Sequence, residues 1–120
     1  MKQRQLGKHG PMVSAIGLGC WSFRNSYGPT TEAESHRTLA GALDLGIDFL
    51  DTANVYGNGV SEEVIGSFIK DHPGRFRIST KACIYRDPET NIRGFNNAPD
   101  HLRGELEKSL TRLGVDHVDL

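Results

Sequence analysis

Asp51, Tyr56 and Lys81 are the residues of this 120-residue chain whose types could do chemistry together. An unperturbed tyrosine has a pKa near ~10, too high for efficient proton exchange at neutral pH. An adjacent ammonium stabilises the tyrosinate and lowers that value. A carboxylate paired with the ammonium would hold it charged and oriented. Asp, Lys and Tyr brought together are therefore a coherent general acid for protonating a carbonyl oxygen during reduction. Taken singly, each has a plainer explanation: Asp51 could satisfy loop amides, Tyr56 could pack over a strand, and Lys81 could be a solvated strand end. Their expected placement on one rim strengthens the chemical reading.

That rim comes from the order of the elements. Residues 3–16 carry the turn signals Gly7, Gly10 and Pro11 between short alternating stretches, which predicts a β-hairpin. Residues 15–19 read as a first buried strand. Thr31 and Glu34 have capping-box spacing and open a helix with Leu39 and Leu43 on one face and Gly46 beyond its end. A second strand is expected at 47–50, ending at Asp51. Ser61 is the expected cap of the next helix, with Glu62 and Glu63 in its first turn and Val64, Ile65, Phe68 and Ile69 as its apolar stripe. The third strand is 76–80, directly before Lys81. Residues 82–98 show no periodicity and read as a long loop. Pro99 starts a helix striped by Leu102, Leu106, Leu110 and Leu113 and closed by Gly114, after which 115–120 begin a fourth strand.

Strands alternating with amphipathic helices predict βαβ units and a parallel sheet. Leu45-Gly46-Ile47-Asp48 returns as Leu113-Gly114-Val115-Asp116, each time where a helix end feeds a strand. Such repetition suits a (β/α)8 barrel, and an open doubly wound sheet could also produce it. In either case sites lie beyond the carboxyl ends of the strands, where Asp51, Tyr56 and Lys81 fall.

Composition narrows the classes further. With 37% hydrophobic and 24% charged residues, the chain reads as one ordinary soluble domain spanning 1–120. Fourteen Lys+Arg against fifteen Asp+Glu give a net charge of -1, so no charge-driven nucleic-acid or membrane partner is expected. Cys20 and Cys83 form neither a CxxC pair nor a disulfide framework, and no apolar run follows the polar start, so a cytoplasmic setting is the expectation. Gly17-Leu18-Gly19 imitates the start of GxGxxG but lacks the third glycine and a helix directly after it. His9, His36, His72, His101 and His117 show no ligand spacing, and no metal site is expected.

Four segments together carry a resemblance to a known family. They are residues 13–19, VSAIGLG; 51–57, DTANVYG; 79–81, STK; and 106–120, LEKSLTRLGVDHVDL. Throughout its length the chain resembles the aldo-keto reductase superfamily. The resemblance implies an α/β fold, a partial TIM (β/α)8 barrel with an N-terminal β-hairpin, truncated at the fourth strand. It also implies NADPH as cofactor and a small-molecule aldehyde or ketone as substrate. Tyr56 would be the proton donor, Lys81 its tuning cation and Asp51 the partner of Lys81. Cys20 and Trp21 would face the nicotinamide or substrate, and Asp51 would join them in the cofactor-binding set. The family's further catalytic His follows strand four; His117 precedes that place and does not substitute for it. The expectation is thus an N-terminal part that is inactive alone. The alternative is a regulatory nucleotide-binding subunit with the same fold, and a phosphate-binding barrel such as an isomerase or aldolase is a remoter one.

Overall fold

The computed structural model describes residues 1–87 and 89–120; Pro88, inside the expected loop, lies outside the described residues. The hairpin is present as β1 (Gln3–Gln5) and β2 (Met12–Ser14), antiparallel with Gln3 opposite Ser14. A parallel sheet follows in the order β3 (Leu18–Gly19), β4 (Phe49–Asp51) and β5 (Arg77–Ser79). Helix α1 (Glu32–Asp44) connects β3 to β4, and α2 (Val60–Ile69) connects β4 to β5. This is the expected βα alternation, with sequential strands adjacent in the sheet. α3 (Pro99–Leu113) packs against α2.

Local chemistry explains the boundaries. Thr31 and Glu34 form the full capping box at the start of α1. Pro99 occupies the first turn of α3, and Gly114 ends that helix in the left-handed conformation. Leu50, entirely buried, sits between Leu18 and Ile78 in the sheet, and the core continues through Leu39, Ile65, Phe68 and Leu113. Leu39 on α1 is also 0% exposed. Leu39→Ala should therefore destabilise the protein by about 2–5 kcal/mol in urea unfolding, the usual range for emptying such a position. A loss below about 1 kcal/mol, the size of an ordinary substitution, would mean that this helix face is not tightly packed.

Several expectations need correction. The first strand is shorter than 15–19: the Ser14 hydroxyl donates to the Ile16 carbonyl at 2.7 Å, the chain bends there, and Ile16 faces outward. Gly59, not Ser61, caps α2, because the turn after Tyr56 folds straight into the helix through Val60 N–H to Gly57 O and Ser61 N–H to Tyr56 O. Residues 82–98 are not a structureless loop. They contain the antiparallel hairpin β6 (Ile84–Arg86) and β7 (Arg93–Phe95), whose turn is held by the Asp87 carboxylate accepting from the Glu89 and Thr90 amides. Ile92 and Phe95 stay exposed on it, so there was no inside-outside alternation to read. Residues 115–120 run beside β5 without becoming a regular strand, since the Asp119 side chain takes the Ile78 N–H that a ladder would use.

Candidate active site

The carboxyl ends of the parallel strands hold the three predicted residues together. Asp51 is the last residue of β4, and Lys81 follows β5 by two positions. Strand-like pairing continues past both strands, through Thr52 N–H to Ser79 O at 2.9 Å and Asn54 N–H to Lys81 O at 3.2 Å. The chain then turns at residues 53–56, with Tyr56 N–H donating to Ala53 O, and this brings the Tyr56 ring back over Lys81.

The Lys81 ammonium has three hydrogens and three acceptors. It donates to Asp51 Oδ1 at 2.6 Å, to the Thr52 carbonyl at 2.7 Å and to the Tyr56 hydroxyl oxygen at 3.3 Å. It also lies 4.9 Å from the centre of the Tyr56 ring. Burial works against the charge on Lys81, but the hydrogen bonds to Asp51 and Tyr56 and their charges outweigh it and hold the ammonium above the ordinary lysine range. The Lys81 and Asp51 side chains are 44% and 46% exposed, a setting in which an ion pair contributes little to stability. The geometry suits a reactive opening better than a structural staple. With the lysine donating to its oxygen, the Tyr56 hydroxyl is left to direct its own hydrogen elsewhere.

Cys20 and Trp21 separate. The Cys20 side chain is fully buried, donates weakly to the Leu18 carbonyl, and has its thiol pushed up to about 12 by burial first and the Asp51 charge second. This corrects the expectation that Cys20 faces a ligand. Its contribution to the rim is backbone: Cys20 N–H donates to Asp51 O, and Cys20 O accepts from the Ser61 hydroxyl. Trp21 is about half exposed; it packs edge-on against Tyr27 at 5.3 Å and lies 6.5 Å from the Tyr56 ring. It borders the opening.

The sequence reading missed three contributors. The Thr52 carbonyl is one of the lysine's acceptors, and main-chain atoms leave no compositional trace. Ser61, read as a cap, is buried and bridges Thr52 Oγ1 and the Cys20 carbonyl. Tyr27 adds a second exposed ring beside Trp21. His117 is exposed on the segment after α3 and bonded to Asp116, whose carboxylate holds its imidazole above the ordinary histidine range. Among the described residues no cluster of three or more His, Cys, Asp or Glu is arranged to hold a metal ion. None of their helices is long and apolar enough to cross a membrane. A cavity of about 930 Å³ lies at the amino end of β5, beside Phe76 and Arg77, and none of the three rim residues lines it. It belongs to the groove between α2 and α3, away from this chemistry.

Comparison with known proteins gives consistent matches. The profile of the Aldo/keto reductase family covers residues 15–120. An aldo-keto reductase of Schizosaccharomyces pombe, whose name specifies NADP(+), is 41% identical over 90% of this chain and 32% of its own length. An L-galactose dehydrogenase of Arabidopsis thaliana is 32% identical over 98% of this chain and 36% of its own length. The solved holo form of an aldo-keto reductase from Bacillus halodurans superimposes with a TM-score of 0.87 at 30% identity, over 98% of this chain and 38% of that one. The chain thus spans about a third of the length of the relatives it matches.

Proposed function

This chain belongs to the aldo/keto reductase family, and on that premise we propose that it is the N-terminal part of a longer oxidoreductase barrel that reduces an aldehyde or ketone with NADPH. The observation that carries the reading is the ammonium of Lys81 held between the Asp51 carboxylate and the Tyr56 hydroxyl. Tyr56 is the proton donor: as negative charge grows on the carbonyl oxygen, its hydroxyl transfers a proton there. The neighbouring Lys81 ammonium stabilises the phenolate left behind. Asp51 keeps that ammonium aimed at the tyrosine. Every hydrogen of Lys81 is already engaged, so the lysine is not itself the donor to the substrate.

Trp21 and Asp51 are the residues of this chain that would hold a nicotinamide beside Tyr56. The half-exposed Trp21 indole offers a flat apolar surface, and the half-exposed Asp51 carboxylate offers an acceptor. When bound, the dinucleotide supplies the hydride. The name of the Schizosaccharomyces relative supports NADPH as its form. The test is oxidation of NADPH and of NADH by the complete protein, followed by absorbance across a panel of aldehydes and ketones. Carbonyl-dependent NADPH oxidation is expected. A protein that binds NADPH yet turns over no carbonyl would instead be a regulatory nucleotide-binding subunit, a reading that the preserved Lys81–Tyr56 contact disfavours.

The three-stranded parallel sheet of the described residues is open: no further strand pairs with its β3 edge, and its β5 edge is met only by the irregular segment at Asp119 and Leu120. Barrels remove such edges by closing, and open apolar edges and faces drive association. Expressed alone, residues 1–120 should therefore show no NADPH-dependent turnover and should self-associate. Size-exclusion chromatography and an NADPH titration on the purified segment check both points. A monomer with micromolar affinity and carbonyl-dependent turnover would overturn this part of the proposal.

A further inference from the structure

Beneath the rim, Glu62 is entirely buried, although carboxylates are almost never fully buried unless paired. One oxygen accepts from Arg112 Nε on α3 at 2.6 Å, and the other accepts from the Thr80 hydroxyl at 2.6 Å. The first contact alone would explain how α2 is joined to α3. The second is of a different kind, because Thr80 immediately precedes Lys81. Resting on the roles proposed above for Tyr56 and Lys81, we propose that Glu62 and Thr80 are positioning residues: their part-buried hydrogen bond sets the placement of Lys81 against Tyr56.

The path between the two catalytic side chains is short and made of specific contacts. From Tyr56 it runs through Ser61 N–H to Tyr56 O and Val60 N–H to Gly57 O, which fix the first turn of α2 to the tyrosine's own loop. Glu62 is the third residue of that helix. Its carboxylate reaches across to the Thr80 hydroxyl, and the Thr80 N–H is held in turn by the Leu120 carbonyl at 3.0 Å. Lys81 is the next residue. The proposed acid, a loop tyrosine, and its neighbouring lysine are thus both referred to one anchored carboxylate. Arg112 supplies the opposite charge that makes a buried carboxylate tolerable. It also packs against the tyrosine's loop: at Gly59, where φ is +96°, a Cβ would fall 2.6 Å from Arg112 Cδ.

Removing Glu62 would strand the part-buried Arg112 guanidinium and endanger the fold, so Thr80 is the position to vary. In the complete protein, Thr80→Val keeps the shape and deletes the hydroxyl, and Thr80→Ser keeps the hydroxyl. Thr80→Val should lower kcat on the order of tenfold, the scale of a small misplacement of a reacting group, while leaving KM for carbonyl and NADPH within about twofold. The alkaline limb of its kcat-pH profile should move. Thr80→Ser should restore both the rate and the profile. Near-ultraviolet circular dichroism and thermal melts correct each rate for the folded fraction. Equal losses in the two variants, losses that track only the folded fraction, or an unchanged Thr80→Val would each overturn the positioning role. If the unsubstituted protein reduces carbonyls and Thr80→Val is unaffected, only this inference fails. If the unsubstituted protein reduces none, the proposed function fails and takes this inference with it.

Discussion

Replacing Tyr56 with phenylalanine in the complete protein is expected to lower kcat for carbonyl reduction by about 10²–10⁴-fold, the usual contribution of a positioned general acid. The substitution deletes one oxygen and little else. The ring that lies beside Trp21 and 4.9 Å from the Lys81 ammonium is retained, so the surface proposed to face the cofactor keeps its shape. NADPH affinity should therefore be nearly unchanged. Steady-state rates and a fluorescence titration of NADPH separate the two effects. Substantial turnover by Tyr56→Phe would remove the tyrosine from its role as acid. Weakened NADPH binding with normal turnover would make it a binding group.

What could be read in advance follows from how locally each feature is encoded. The capping box of α1, the Pro and Gly that bound α3, and the apolar stripes are short-range signals, and they located these helices within a few residues. Asp51, Tyr56 and Lys81 were legible as a group because strand ends gather on one rim of a parallel sheet, whatever the lengths of the strands. The hairpin formed by β6 and β7 escaped because neither of its faces is core: with Ile92 and Phe95 exposed, it carries no alternation of apolar and polar positions. Cys20 was misjudged because position after a strand does not say which way a side chain points; here it joins the core beside Leu50 and Ile65. Glu62 was read as an ordinary first-turn acid. Its burial depends on Arg112, fifty positions away, and on Thr80 just after β5, and no local pattern reports either partner.

Lys81→Met is expected to lower kcat by about 10²-fold or more and to remove the contribution of the ammonium to the alkaline side of the rate profile. Methionine approximates the length of the aliphatic stem but brings none of the three hydrogens that the lysine donates to Asp51, Thr52 O and Tyr56. The sign of the pH effect follows from the raised lysine. In the folded protein the ammonium persists to higher pH than in the unfolded chain, because hydrogen bonds to Asp51 and Tyr56 outweigh the opposing burial. Its stabilising contribution is therefore full below the ordinary lysine value near ~10.4 and is lost as pH rises through the higher folded value. Wild-type protein should keep its cation across the neutral range and lose both stability and rate support only in strong alkali. The methionine variant should lack that alkaline loss of stability and should be slow at every pH. Arginine should not restore the rate, since a planar guanidinium cannot direct three divergent donors to a carboxylate, a carbonyl and a phenol from the same point. Measuring kcat and thermal midpoints of wild type, Lys81→Met and Lys81→Arg from neutral to alkaline pH decides the matter. A methionine variant with the wild-type rate and profile would return Lys81 to the status of a solvated strand end.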